Sequence, residues 1–251
     1  MTDSPLITII TVTYNAASTI GPTLDSVKAQ TFTDFEYIVM DGDSSDTTVE
    51  LARNAAIPGS RIFSSPDKGL YHAMNKGLAE ARGMYVVFLN AGDSFHSPDS
   101  LSAVARAIRE NNFPGIVYGQ TDIVDSSRRK IADRHLTAPE NLTLQSFATG
   151  MVVCHQAFVA LRKITSNFDT SYRYSADYDW CIRCLQHSRR NVYTGATLID
   201  YLSEGVTTAN RRKSLIERFR IMCYYYGTLP TLLRHIGFLF RFFNYRHKLD
   251  R

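Results

Sequence analysis

Three polar side chains stand where runs of β-branched and aromatic residues end. They are Asn15 after LITIITVTY (6–14), Asp41 closing FEYIVMD (35–41), and Asp93 just past MYVVFLN (84–90). A carboxylate at the end of an apolar run marks chemistry rather than packing, since a core has no use for the charge. Asp and Asn oxygens suit hard cations such as Mg²⁺ or Mn²⁺, and a cation with few protein ligands fills its shell with phosphate oxygens. Asp93 is the expected metal ligand, holding an ion that would neutralise a departing diphosphate. Asn90 is a poorer ligand and is expected to hydrogen-bond instead.

Two further stretches carry side chains of the same kind. In MDGDSSDTT (40–48), Asp46 is placed to cap a helix. Asp41 can accept a hydrogen bond from a nucleobase N–H, and Asp43 can reach the same pocket. PDKGLYHAMNKGLAEARG (66–83) adds Asp67 and Gly69 before a helix, where a glycine lets the backbone approach a nucleotide closely.

The elements that must position these residues alternate along the first 120 positions. Strands are predicted at 6–14, 35–41, 61–65, 84–90 and 115–119. Helices are predicted from Ser18 (Ile20, Leu24, Val27), after Asp46, over Leu70–Ala81, and from Ser97-Pro98. Such alternation implies an α/β fold with a mostly parallel sheet flanked by helices, whose ligands collect beyond the carboxyl ends of the strands. Asn15, Asp41 and Asp93 would then share one rim. Beyond residue 120 a hairpin is predicted at 121–136, an apolar run at 150–158 and a helix at 175–188.

Composition, with 44% hydrophobic and 21% charged residues, excludes wholesale disorder. The N-terminus has no basic region before its first strand, so no signal peptide is expected. Cys181 and Cys184 have CxxC spacing inside a helical pattern and are read, with Cys154 and Cys223, as packed thiols. The first strand leads into Asn15-Ala16-Ala17-Ser18 rather than GxGxxG, which argues against a nicotinamide-dependent oxidoreductase. The formal net charge of +4 is uneven: residues 211–251 hold ten Lys/Arg against two Asp/Glu, leaving the rest of the chain net acidic. Apolar stripes there (Leu215 to Tyr226, Leu229 to Phe243) alternate with basic residues and are too interrupted to span a bilayer. They fit basic amphipathic helices on an anionic membrane surface, and equally a helical hairpin packed on the catalytic domain or an oligomer contact.

Taken in order, TIITVTYN (8–15), VMDGDSSDTT (39–48), SSPDKGLYHAMNKGLAEARGMYVVFLNAGD (64–93), CHQAF (154–158), SADYDW (175–180) and EGVTT (204–208) resemble family-2 glycosyltransferases. These are enzymes of the GT-A fold, a Rossmann-like nucleotide-diphospho-sugar transferase architecture. The likeness covers about residues 5–210 and looks closest to bacterial enzymes that build capsule, exopolysaccharide or O-antigen repeat units.

The resemblance implies donor contacts at Thr13, Asn15, Asp41, Asp43, Asp67, Gly69, Asn75 and Asn90. It places Asp93 at the last Asp of a DxD-type metal motif, with Asn90 where that motif has its first Asp. Asp177 falls at the general base of an "ED" signature that here lacks its Glu. His155 and Gln156 match a pair lining the acceptor side, and Asp179, also expected there, competes with Asp177 for the base role. The implied reaction is an inverting transfer with Mn²⁺ or Mg²⁺, a UDP-sugar donor being favoured, onto a lipid-diphosphate-linked glycan. The expected organisation is a catalytic domain over 1–210, with its donor half in 1–120 and its acceptor half in 121–210, followed by a basic helical tail over 211–251. The expected location is the cytoplasm, peripheral at the cytoplasmic face of the inner membrane, with no nucleic-acid partner. The rival is a non-catalytic protein that binds an anionic ligand or carbohydrate through the basic tail. The oligomeric state is not legible.

Overall fold

Residues 4–203 and 211–236 are described by a computed structural model. The first half is built from β1 (Ile7–Thr13), β2 (Phe35–Asp41), β3 (Arg61–Ser64) and β4 (Tyr85–Phe88). Helices α1 (Ile20–Lys28), α2 (Thr48–Asn54) and α3 (Leu70–Glu80) connect them. The second half adds β5 (Ser94–Phe95), α4 (Ser100–Glu110), β6 (Ile116–Val124), β7 (Lys130–Asp133), β8 (Phe158–Leu161), α5 (Ala176–His187), β9 (Asn191–Leu202) and α6 (Arg211–Tyr226).

All strands join one sheet in the order β3-β2-β1-β4-β8-β6-β9-β5, with β7 paired to β6. The pairs β1–β2, β1–β4, β2–β3 and β6–β9 are parallel, whereas β8 lies antiparallel between β4 and β6. Both faces of the first half are covered. Ile10, Val12, Ile38, Met40, Val86 and Phe88 enter a core with α3, α5 and Trp180. Ile7, Ile9, Tyr37, Val39, Tyr85 and Val87 enter the other core with α1 and α4. That two-sided burial is why these strands read as continuous apolar runs.

Several elements differ from the pattern-based expectation. The helix foreseen at Ser97-Pro98 begins at Ser100, after a turn in which Ser97 N donates to Ser100 Oγ. Asp46 is not the residue flanking α2, which is Thr47, but its carboxylate accepts from Thr48 N and from Ala17 N. Strand β9 was not foreseen: Gly195 at φ +72° and register shifts against β6 break its alternation.

Helix α6 docks on the body. Ile221 and Met222 are buried, and Glu217 accepts from the backbone amides of Arg173 and Tyr174. The stripe expected to face one way is therefore split, with Leu215 and Ile216 each 55% exposed. Residues 228–236 are helical and leave Leu229, Leu232, Leu233 and Ile236 exposed. The EGVTT segment and the Phe-rich stretch after Ile236 lie outside the described residues. Among the described residues no helix is long and apolar enough to cross a membrane.

Candidate active site

The strand order reverses between β1 and β4, and an open α/β sheet has its natural crevice at such a point. The chain leaving β4 stays beside β1, with Leu89 N donating to Ile10 O and Ala91 N to Val12 O. Thr13 Oγ1 and Asn90 Oδ1 lie there, both buried without a hydrogen-bond partner. An unmade buried hydrogen bond costs about 1–3 kcal/mol, so two such oxygens at one crevice favour a ligand that supplies donors.

The other donor-side residues gather along the same rim. Asn15 adopts φ 47°, its amide N–H donates to Ser44 Oγ, and its Oδ1 accepts from Ser45 N at 2.9 Å. Asp41 is buried and holds its own loops: Oδ1 accepts from Ser44 Oγ at 2.5 Å, and Oδ2 from Ser44 N at 2.9 Å and Ser64 Oγ at 2.7 Å. Asp43 is exposed in the left-handed region at φ 68°. Asp67 folds over Gly42, where an added Cβ would lie 2.7 Å from its Oδ2, and its Oδ1 accepts from Gly69 N. Gly69 itself sits at φ 117° directly before α3. The Asn75 amide bonds both the carbonyl and the N–H of Phe168 and so clamps that loop.

The turn that delivers Asp93 is tight because Gly92 takes φ 104° and Asp93 N donates to Asn90 O. Buried Thr23 locks it, with Oγ1 accepting from Gly92 N and donating to the Asp93 carbonyl at 2.6 Å. A core strand can thus run straight into a carboxylate. That carboxylate is 5% exposed; Oδ1 accepts from Leu202 N at 2.9 Å and Oδ2 from Gln156 Nε2 at 2.6 Å. Burial pushes its pKa up to about 6, against the partial relief of these two hydrogen bonds.

Asp177 opens α5, where the helix dipole favours an anion. Its Oδ1 accepts from Tyr71 OH at 3.0 Å, and its Oδ2 lies 3.2 Å from His155 Nδ1. Burial works against its charge, yet the His155 hydrogen bond and charge, the charge of Arg218 and the Tyr71 hydroxyl together hold the carboxyl down to about 2.

On the acceptor side, His155 and Gln156 are 7% and 1% exposed, because they turn inward from a 3-10 turn to reach Asp177 and Asp93. They brace the two carboxylates. Asp179 gives Oδ2 to Arg183 Nε and Oδ1 to Tyr225 OH, tying α6 to α5.

Sequence reasoning passed over three features. Tyr71, in GLYHAMNKG, reaches Asp177 from α3. Arg128, at φ 62° in the β6–β7 turn, donates from Nη1 to Gly92 O, while its Nη2 is buried and unpartnered. His96, Asp122 and Asp200 bring ligand-type atoms within 4.8 Å of one another, a cluster that does not include Asp93. His96 bonds Asp200, while Lys130 Nζ sits 3.0 Å from Asp122. Only His96, three residues past Asp93, left any local trace in the sequence.

The chain is similar to several known proteins. The profile of Glycosyl transferase family 2 matches residues 8–166. A PGL/p-HBAD biosynthesis glycosyltransferase of Mycobacterium tuberculosis is 34% identical over 191 residues, covering 73% of this chain and 71% of that one. The amylovoran biosynthesis glycosyltransferase AmsB of Erwinia amylovora is 26% identical over 205 residues, covering 77% and 68%. Among solved structures, S. aureus TarS 1-349 in complex with UDP-GlcNAc superposes with a TM-score of 0.71 at 18% identity, covering 92% of this chain and 73% of that one. This last likeness concerns the fold, the GT-A arrangement expected from the sequence.

Proposed function

The chain belongs to glycosyl transferase family 2, and from that premise we propose an inverting, metal-dependent transfer of a sugar from a nucleotide-diphospho-sugar to a hydroxyl of a lipid-diphosphate-linked glycan. The setting proposed is synthesis of a bacterial surface polysaccharide. The observation that carries this reading is the crevice between β1 and β4, where unpartnered Thr13 and Asn90 oxygens lie with the buried Asp93, and His155 links Asn90 to Asp177. The solved complex of TarS with UDP-GlcNAc supports a UDP-sugar as the first donor to try. The amylovoran relative supports polysaccharide synthesis.

The donor's nucleoside would lie along Asn15, Asp41 and Asp67, and its diphosphate over the Asn90–Asp93 turn. Asp93 fits a hard cation. It is a buried carboxylate that forms no ion pair among the described residues, and each of its oxygens keeps a lone pair beyond its one hydrogen bond. Mn²⁺ or Mg²⁺ held there would supply positive charge to the leaving diphosphate. On the opposite side, the acceptor hydroxyl would meet a base centred on Asp177, positioned by Tyr71 and His155. Much of the rate would come from orientation and charge complementarity. Residues 1–210 would form the catalytic unit. Residues 211–251, through the exposed Leu229, Leu232, Leu233 and Ile236 and the basic residues around them, would hold it peripherally at the cytoplasmic face of the inner membrane.

Calorimetric titration with UDP and GDP, with and without Mn²⁺, tests this on wild type, Asp93→Ala and His96→Ala. Metal-dependent binding of one nucleotide, lost in Asp93→Ala and kept in His96→Ala, is expected. Binding by neither nucleotide in the presence of Mn²⁺ overturns the donor site. Loss only in His96→Ala moves the cation to the His96–Asp122–Asp200 cluster.

A further inference from the structure

We propose that Arg128 is a cation of the donor site: its unpartnered Nη2 donates to an oxygen of the departing nucleoside diphosphate, beside the turn that carries Asp93. The proposal rests on the glycosyltransferase reading and adds to it a positive charge that belongs to the chain itself.

Arg128 is the first of three consecutive cations, Arg128-Arg129-Lys130, where β6 turns into β7. The other two are engaged locally. Arg129 lies 3.4 Å from Asp125, and Lys130 lies 3.0 Å from Asp122 and 2.7 Å from Asp133. Of the three, only Arg128 forms no ion pair among the described residues. It reaches instead to the Asn90–Asp93 turn, where Nη1 donates to Gly92 O at 2.8 Å. Nη2 is buried and has no acceptor among the described residues. A guanidinium offers its N–H groups as a fork that suits carboxylate and phosphate oxygens. One prong holds the turn that leads into Asp93, and the other is open.

The chain places this side chain with care. Asp125 Oδ1 accepts from Ser127 N at 2.9 Å and Arg129 N at 3.0 Å, and Arg128 N donates to Asp125 O at 2.9 Å. Between these bonds Arg128 is held at φ 62°, a left-handed conformation that disfavours a side chain. Strand β6 pairs with β9 as far as Val124 and Leu202, and Leu202 N is a donor to Asp93 Oδ1. The β6–β7 turn, the end of β9 and the Asp93 turn therefore meet at one place.

No carboxylate there takes the open prong. Asp93 accepts from Leu202 N and Gln156 Nε2, and Asp200 is bonded by His96. Burial lowers the Arg128 pKa, and the charges of Asp93 and Asp200 offset this only in part. Asn90 Oδ1, also buried and unpartnered, can only accept and so cannot serve a phosphate oxygen, whereas Arg128 Nη2 can only donate. A diphosphate lying over the turn would satisfy Nη2 without breaking a bond already made.

Arg128 exchanges no proton in the step. The bond from the anomeric carbon to the diphosphate oxygen breaks, and its electron pair leaves with the diphosphate. The acceptor oxygen forms the new bond as its proton passes to the base centred on Asp177. A hydrogen bond from Arg128 strengthens as the departing group gains charge.

Calorimetry on the full chain with Mn²⁺ tests this, using UDP and GDP, with UMP and GMP as probes that lack the second phosphate. Arg128→Gln removes the charge but can still donate to Gly92 O; Arg128→Lys keeps the charge. Loss of a hydrogen bond to a charged group weakens binding about 10- to 100-fold. Arg128→Gln should show that loss for the diphosphate that wild type binds, and Arg128→Lys should recover most of it. The matching monophosphate should change by less than about threefold in either variant. Equal losses in the two variants, or an equal loss of the monophosphate, mean that Arg128 only shapes the turn, and the proposal falls. Unchanged diphosphate affinity in Arg128→Gln also overturns it, and leaves the glycosyltransferase reading standing. If wild type binds neither UDP nor GDP, that reading fails and this proposal fails with it.

Discussion

Asp93→Asn should make the metal-free protein more stable while disabling its donor site. In EDTA the native Asp93 is a buried carboxylate whose pKa is raised from 3.8 to about 6. A raised acid pKa means that the folded state binds the proton more tightly than the unfolded chain. The penalty is therefore absent well below pH 3.8, grows between 3.8 and about 6, and is complete above that. At about 1.4 kcal/mol per pH unit the full penalty is about 3 kcal/mol at pH 8. At pH 4.5 the same relation leaves only about 1 kcal/mol.

Asparagine removes the charge and can keep the contacts. Its Oδ1 still accepts from Leu202 N, and its amide meets Gln156 once that side chain turns its oxygen inward from Cys154. Thermal denaturation in EDTA at pH 8 and pH 4.5 measures the effect, with a melting shift of about 6–12 °C expected at pH 8 for a chain this size. Saturating Mn²⁺ and UDP should close the gap by stabilising wild type alone. A wild type at least as stable as the mutant at pH 8, or a difference indifferent to pH, refutes the claim that Asp93 is held at an energetic cost for ligand binding.

Asp177 has the opposite sign. Its carboxyl lies below the unfolded value, so it stabilises above pH 3.8 and loses this as pH falls through about 2; Asp177→Asn should cost about 2 kcal/mol at neutral pH, read by urea titration, while leaving UDP affinity unchanged within about twofold. Asn75→Leu should strand both backbone groups of the buried Phe168 and cost about 2 kcal/mol, with UDP affinity of the folded mutant, by calorimetry, telling a loop clamp (affinity kept) from a donor contact (affinity lost). Gly77→Ala would place a methyl 2.5 Å from Ile10 Cγ2, so overpacking of about 1–3 kcal/mol should outweigh the gain in helix propensity; a higher melting temperature would show that α3 can move off β1. Replacing exposed Leu229 and Leu233 with Ser should weaken sedimentation with vesicles rich in anionic phospholipid, and unchanged sedimentation would detach the tail from the membrane proposal.

The difference between what the sequence disclosed and what it concealed follows the geometry of the sheet. The donor half was legible because parallel strands buried on both faces write themselves as apolar runs, and each run ends at the rim: Thr13 and Asp41 are register partners at adjacent strand ends. Position along the chain sufficed to set Asp41 at the end of β2 beside the end of β1, with Asn15 two residues past it, and Asp93 just past β4. The acceptor half was less legible because its decisive pairings are distant. Strand β8 inserts antiparallel between β4 and β6, and only that insertion swings the His155–Gln156 turn beneath the crevice. From there two adjacent side chains reach two carboxylates 84 positions apart in the chain, Asp93 through Gln156 and Asp177 through His155. A local pattern cannot show that. The bond from Tyr225 to Asp179 was hidden for a related reason, since the two residues lie on helices far apart in the chain. Consecutive side chains thus hold the carboxylate proposed for the donor and the one proposed for the acceptor, so the two halves of the site meet at a single turn of the chain.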